Sequence, residues 1–325
     1  MKKILLASTA LILSGGMAAA QGLSIGGQGR MGIQYQSGSP YVTASGGTSS
    51  YRTEARFQLN FAATVQADHG LTLGAFSRAR MQTTGGTATT QATGVFSGAR
   101  VFVEAEGFRL TFGNQDGAII VAGTAMGYAG GCGIGYEGGQ QCGDTAGLAA
   151  TQGRPGVSWF NSTGGTGVNA GVQQTINAQY SFGDFTGAIS TERGRGYEIG
   201  AKGRFDAITV AAGYQSARGG TSRIATLSAH YNGGDWGVGA IVARIAGGGL
   251  PAINNFNVQG NVNVGGGNLY GYVGRLNGGT ALGASYRFGL GGGASVVAGV
   301  ERSRNIFTAG NPQQTTASVG VVFNF

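Results

Sequence analysis

Seven arginines between residues 30 and 109 are the side chains best able to act on other molecules. Several recur two or four residues apart, as Arg52 and Arg56 do, and as Arg78 and Arg80 do. The guanidinium group stays charged among like charges and donates hydrogen bonds to carboxylates and phosphates. Gathered on one surface, such groups would attract anions and discriminate among charged solutes without catalysing a reaction. The seven candidates are Arg30, Arg52, Arg56, Arg78, Arg80, Arg100 and Arg109.

The even spacing of these arginines predicts β-strands, because successive strand residues point to opposite faces of a sheet. In residues 51–67, the polar side chains of Arg52, Glu54 and Arg56 alternate with a largely apolar set that includes Phe57. One face is therefore charged and the other apolar. The same alternation predicts sixteen strands, over residues 23–36, 51–67, 71–82, 95–106, 108–115, 175–182, 184–192, 197–205, 207–217, 223–232, 235–244, 254–264, 268–276, 280–289, 293–303 and 315–325.

The composition explains where two such faces would lie. Only 10% of the 325 residues are charged, the mean hydropathy is +0.02, and 67 residues are glycine, whereas a soluble domain is about 25% charged. Membrane helices are excluded, since each needs about 20 consecutive apolar residues, and glycine disfavours helices in general. We expect an all-β fold, a transmembrane antiparallel up-and-down β-barrel of 16 strands. The alternative is a secreted soluble sandwich or solenoid, which would carry more Asp, Glu and Lys.

The first 20 residues have the pattern of a signal peptide rather than of a folded element. Lys2 and Lys3 precede an apolar stretch over residues 4–13, and small alanines at residues 18–20 offer a cleavage site. This order of segments directs a chain out of the cytoplasm. We therefore expect residues 1–20 to be removed and residues 21–325 to form an outer-membrane β-barrel.

One connection is unusually long. Residues 116–174 lack sustained alternation, and a loop of this length inside a compact fold is usually functional or disordered. Its cysteines, Cys132 and Cys142, are the only ones in the chain. In an oxidising compartment we expect them to form a disulfide, contributing about 3 kcal/mol and stiffening the loop. A metal site would need further ligands nearby, so we expect no metal.

Both ends of the chain resemble a known family. The stretch LSIGGQGRMG at residues 23–32 is similar to the first mature strand of the general diffusion porins of Gram-negative bacteria, alphaproteobacterial type. The stretch ASVGVVFNF at residues 317–325 is similar to their last strand, and residues 282–297 resemble their penultimate hairpin. The resemblance covers the mature chain and is weakest in residues 116–174, whose composition departs from the acidic loop of the family.

The resemblance implies a sixteen-stranded homotrimer in the Gram-negative outer membrane, in contact with its lipid and lipopolysaccharide. It implies that residues 116–174 fold into the barrel as a constriction loop, and that terminal Phe325 is the signal read by the assembly machinery. It also places the seven arginines in the pore, facing acidic groups of the loop. In this chain the candidates for those groups are Asp116, Glu137 and Asp144.

The expected function is passive diffusion of small hydrophilic solutes and ions. With few acidic groups against seven arginines, the neck should be net positive and the channel weakly anion-selective. Two alternatives remain, a substrate-selective channel of the same architecture and a plugged-barrel structural or adhesive surface protein. The GQGRMG stretch at residues 27–32 fits a dinucleotide-binding pattern, but no helix follows it. We accordingly expect no enzyme activity, no cofactor and no nucleic-acid partner.

Overall fold

A computed structural model describes residues 22–38, 41–42, 46–82, 95–115, 117–121, 175–220, 222–276, 279–304 and 313–325. Sixteen antiparallel strands form a closed barrel, and a two-stranded hairpin stands beside it. The barrel strands are β1 (Gly22–Gln36), β4 (Tyr51–Gln66), β5 (Thr72–Gln82), β6 (Val95–Ala105), β7 (Phe108–Gly113), β8 (Thr175–Phe182), β9 (Phe185–Glu192), β10 (Gly196–Phe205), β11 (Ile208–Ala217), β12 (Arg223–Asn232), β13 (Trp236–Gly247), β14 (Leu250–Val264), β15 (Gly267–Leu276), β16 (Gly279–Gly291), β17 (Ala294–Arg304) and β18 (Gln313–Asn324). The hairpin strands are β2 (Tyr41–Val42) and β3 (Thr48–Ser49).

Each barrel strand pairs with the next one in the chain, and β1 pairs with both β4 and β18 to close the circle. Closure leaves no unpaired strand edge. The sixteen predicted strands are all confirmed, with small differences at their ends. The largest concerns β14, which begins at Leu250 rather than at residue 254. The β2–β3 hairpin was not predicted, because two-residue strands show no alternation.

The alternation of side chains separates an outer apolar wall from a polar interior. In β14, Phe256 and Val258 are each 47% exposed on the outside, while Asn257 between them is fully buried on the inside. Aromatic residues such as Phe57, Phe182 and Trp236 are exposed on this outer wall. This pattern is that of a barrel whose outer surface faces hydrocarbon.

The two rims of the barrel differ in their connections. Tight turns at 67–71, 106–107, 183–184, 206–207, 233–235, 265–266 and 292–293 all lie on one rim, here called the short-turn rim. The other rim, here called the long-loop rim, carries the connections at 37–50, 83–94, 114–174 and 305–312.

The connections on the long-loop rim are not all long. Those at 193–195, 218–222, 248–249 and 277–278 are short. At one of them, Gly248 and Gly249 adopt φ values of 64° and 70°, which let two residues reverse the chain. The long connections are therefore concentrated before β8 and between β17 and β18.

A single turn of helix, α1 (Ala118–Val121), follows β7. None of the helices in the described part of the chain is long and apolar enough to cross a membrane.

Candidate functional site

All seven candidate arginines point into the barrel. Arg30 alternates along β1 with Met31 and Ile33, which are exposed on the outer wall. The same parity turns the arginines of β4, β5, β6 and β7 inward, since their strand neighbours Phe57, Val101 and Phe112 are exposed outside. The interior face of these five adjacent strands is called the arginine wall below.

The strand register brings four of the arginines together and leaves three apart. Arg30 on β1 lies directly opposite Arg56 on β4. On the next strand, β5, Arg80 is opposite Gln58 and Arg78 is opposite Asn60. Two like charges in a directly opposite pair repel each other, so this arrangement concentrates positive potential at the centre of the wall.

Glutamine side chains hold these guanidinium groups in place. Arg30 donates from Nε to Gln28 Oε1 at 2.9 Å, and Arg80 donates from Nε to Gln58 Oε1 at 2.7 Å. A neutral amide oxygen fixes the direction of a guanidinium without neutralising its charge. These two hydrogen bonds therefore fix the direction of the Arg30 and Arg80 guanidinium groups in the central part of the wall.

Arg52 has a mixed environment. Its guanidinium donates to Gln34 Oε1 from Nε at 3.1 Å and from Nη2 at 2.8 Å. It also forms an ion pair with Glu54, whose side chain is buried beside it on the same strand. The acidic partner of Arg52 is therefore on the arginine wall itself, whereas the expected acidic partners were in residues 116–174.

Arg100 and Arg109 stand apart from the central group. The Arg100 guanidinium lies 4.2 Å from the centre of the Phe76 ring. Arg109 is two residues after the 106–107 turn and donates from Nε to Glu104 Oε2 at 2.6 Å. The seven arginines thus share one wall but not one cluster, and Arg109 lies at the short-turn end of the barrel.

Three of the four buried inward carboxylates, Glu192, Glu198 and Glu301, were not predicted from the sequence. Glu54, Glu192, Glu198 and Glu301 are 3%, 8%, 0% and 2% exposed. Their even spacing from other inward residues, such as Glu198 from Gly200 and Lys202 on β10, is the signal that could have identified them. The expected loop acids Asp116, Glu137 and Asp144, together with Cys132 and Cys142, lie outside the described residues.

The chain turns into the barrel after β7. The backbone N–H of Ala118 donates to Ser190 Oγ at 2.9 Å, and that of Ile119 donates to Glu198 Oε2 at 3.3 Å. Ala118 and Ile119 are completely buried against the interior face of β9–β11. The buried carboxylate of Glu198 thereby fixes the start of the long connection inside the barrel.

A second part of the interior wall, on β11–β15, carries no Asp, Glu, Lys or Arg side chain and is largely buried. Ile224, Ile241 and Ile245 point inward and have no exposed surface, and the inward Asn257 is equally buried. By contrast, inward side chains of the arginine wall keep exposed surface, 18% for Arg52 and 44% for Arg109. Of these two parts of the interior, the arginine wall is therefore the one with exposed charged side chains.

The described residues show no group of three or more histidine, cysteine, aspartate or glutamate side chains suited to a metal ion. The chemistry of this interior is electrostatic, based on fixed guanidinium groups and buried carboxylates.

Comparisons with known proteins agree with this architecture. A model of the Gram-negative porin family matches residues 7–322. Three engineered mutants of the Rhodopseudomonas blastica porin have similar structures, each covering 93% of this chain and 100% of its own, at 24% identity. Their TM-scores are 0.71 for one double mutant, 0.71 for a triple mutant and 0.72 for another double mutant. A search of curated proteins gave no match.

The family match spans nearly the whole chain, and proteins of this family and fold are channels rather than enzymes. The chain therefore belongs to the Gram-negative porin family and forms a channel in the outer membrane.

Proposed function

We propose that the channel allows passive diffusion of small hydrophilic solutes and ions, with a mild preference for anions. The observation that supports the preference is the unequal exposure of interior charges. Guanidinium groups of the arginine wall keep exposed surface, 18% for Arg52 and 44% for Arg109, whereas Glu54, Glu192, Glu198 and Glu301 are buried. The inward Glu104, whose side chain is 40% exposed, is ion-paired with Arg109. Selectivity in a wide pore follows the sign and placement of the charges that line it.

Uptake into liposomes containing the purified protein tests this proposal. Swelling rates are compared for a neutral sugar, a small carboxylate and a quaternary ammonium ion of similar size. We expect all three to enter and the carboxylate to enter faster than the ammonium ion. Faster swelling with the ammonium ion would contradict the proposed preference.

A plugged barrel with a structural or adhesive role is a second candidate, and one observation favours it. The inward residues Ile224, Ile241 and Ile245 are buried although they face the interior. Such burial narrows the space open to water. Absence of single-channel current steps from the purified protein would support this candidate, and regular steps would exclude it.

A substrate-selective channel differs from a general porin in its response to particular solutes. Millimolar concentrations of a bound solute would block the current of a selective channel. We propose a general channel and expect the current to be unaffected by any single sugar or amino acid added at that concentration.

The assembly of the channel is also part of the proposal. We propose a homotrimer surrounded by outer-membrane lipid and lipopolysaccharide. A band of trimer size on gels of unboiled protein, converted to monomer by boiling, is the expected result. A monomer band before boiling would contradict the trimer.

Three further parts of the proposal concern segments beyond the barrel wall. Residues 1–20 act as a signal peptide. Residues 116–174 form the constriction loop, which carries Asp116, Glu137 and Asp144. Cys132 and Cys142 form a disulfide within that loop. Peptide mapping without reductant checks the last of these, and recovery of both cysteines as free thiols would contradict it. The N-terminal sequence of the mature protein, expected to begin at residue 21, checks the signal peptide.

A further inference from the structure

We propose that the outer wall of the barrel binds phosphorylated lipid of the outer leaflet through four outward-facing arginines, Arg223, Arg244, Arg275 and Arg302. This set is called the outer arginine belt. The inference rests on the outer-membrane location and deepens the proposed association with lipid, and it does not depend on ion selectivity.

The orientation of the belt follows from strand parity and register. Arg244 lies two residues from the outward Val242, and Arg275 lies two residues from the outward Val273. Arg275 is also opposite Phe256, and Arg302 is opposite Leu282, both exposed on the outer wall. The belt arginines therefore share a face with the lipid-facing apolar residues.

All four arginines lie at the same end of their strands. Arg223 is the first residue of β12, and Arg244, Arg275 and Arg302 lie within three residues of the ends of β13, β15 and β17. Those ends belong to the long-loop rim, which in barrels of this kind faces the cell exterior. An arginine on the lipid face costs about 2–4 kcal/mol at the membrane midplane but only about 0–1 kcal/mol near the interface. The belt is thus at the depth of the lipid headgroups.

The protein offers these arginines no counter-charge. None of the four has a hydrogen bond or ion pair within the described part of the protein. Within the described strands, no aspartate or glutamate points outward. Among the turn residues that the structure describes, the acidic ones lie on the short-turn rim, at Asp68, Glu106, Asp184, Asp206 and Asp235. An anion that balances the belt must therefore come from outside the described protein.

Two grooves accompany the belt. One, of about 460 Å³, is polar, and is lined by Arg193, Arg218 and Arg223 together with Glu192 and the outward Tyr197. The other, of about 410 Å³, is lined by Arg244 with the outward Leu227, Val242 and Phe256. A guanidinium beside this second, apolar groove matches an amphiphile that has a phosphate headgroup and an acyl chain. A free phosphate would leave the apolar part of the second groove unused.

Binding of diphosphoryl lipid A to the full-length protein in detergent micelles tests the proposal. The test variant replaces all four belt arginines with glutamine. The control, Arg287→Gln, removes one charge from the inward face of β16. We expect the fourfold variant to bind lipid A at least about tenfold more weakly than the wild type, since each basic group near an anionic lipid surface contributes to the binding affinity. We expect Arg287→Gln to bind like the wild type.

Two further ligands identify the chemistry that is recognised. Dephosphorylated lipid A should bind at least about tenfold more weakly than the diphosphoryl form, because the guanidinium partner is missing. Inorganic phosphate should not compete at millimolar concentration. Equal binding of the dephosphorylated lipid, full competition by phosphate, or unchanged binding by the fourfold variant would each overturn the proposal.

Folding and channel function are checked separately on the same preparations. The double variants Arg223→Gln/Arg244→Gln and Arg275→Gln/Arg302→Gln replace the fourfold variant if it does not fold, and each should show a partial loss of affinity. Wild-type affinity in both folded double variants would overturn the proposal. Single-channel current of the wild type reports on the channel function alone. A failure of the channel proposal is therefore distinguished from a failure of the proposed lipid binding.

Discussion

The aromatic ring of Phe325 lies directly over Gly27, and the two residues join the last strand to the first. Gly27 N–H donates to Phe325 O at 2.7 Å, and Phe325 N–H donates to Gly27 O at 3.2 Å. A Cβ atom at residue 27 would overlap both the ring and the backbone oxygen of Gln58 on β4. The ring also stacks on Phe57 of β4, with centroids 6.1 Å apart. A glycine in β1 thus creates the space in which the final aromatic residue closes the barrel.

Gly27→Ala should destabilise the closed barrel by about 1–3 kcal/mol, because the added methyl group overpacks the site. The temperature at which the folded band disappears on unboiled gels measures the effect. Gly187→Ala is the matched control, since nothing lies within 4 Å of a Cβ at that strand position. Equal unfolding temperatures for the two variants would show that the close packing of Phe325 and Gln58 around Gly27 does not stabilise closure.

Phe325→Ala tests the separate prediction that this residue is the assembly signal. We expect less protein in the outer membrane and more in the periplasm, measured by cell fractionation. Gly27→Ala serves as the control here, since it disturbs the packing of the ring but keeps the aromatic residue. If the two variants reduced assembly equally, packing rather than recognition would explain the loss.

Glu198→Ala should loosen the start of the long connection. It removes the acceptor of the Ile119 N–H and a partner of Ser190, and a buried donor left without a partner costs about 1–3 kcal/mol. We expect noisier open-channel current and more frequent substates in single-channel recordings. Glu301→Ala removes another buried inward carboxylate, one that is on β17, away from α1. Identical noise in the Glu198 variant and the wild type would contradict the role of Glu198.

Glu54→Gln and Arg56→Gln should shift ion selectivity in opposite directions. The first removes the negative partner of Arg52, and the second removes a positive charge opposite Arg30. We expect stronger anion preference in the Glu54 variant and weaker preference in the Arg56 variant, measured as permeability ratios in planar bilayers. A shift of both variants in the same direction would mean that the arginine wall does not set selectivity.

The alternation in the sequence predicts the strands and the inward direction of Arg56 and Arg80, because period-two spacing determines which face a side chain occupies. It does not determine strand register, so the pairing of Arg30 with Arg56 and the isolation of Arg109 beside Glu104 required the structure. Register depends on contacts between residues that are distant in the chain.

The helix α1 and its contact with Glu198 were also not predicted. Four residues are too short to show helical periodicity, and an isolated turn of helix is unstable without packing. The buried Glu198 that holds it resembles, in sequence alone, any charged residue on the wet face of a strand. The short turn at Gly248 and Gly249 was missed because glycine is frequent throughout the chain.

The zero-current potential across a KCl gradient in planar bilayers tests the central claim most directly. The wild type is compared with Arg30→Gln/Arg56→Gln/Arg80→Gln, and the outward Arg244→Gln serves as a charge-matched control for one substitution. We predict a potential of the sign set by chloride flow for the wild type and the control, and a potential near zero or reversed for the triple variant. A wild-type potential of the sign set by potassium flow, or one unchanged in the triple variant, would contradict the claim that the arginine wall selects anions.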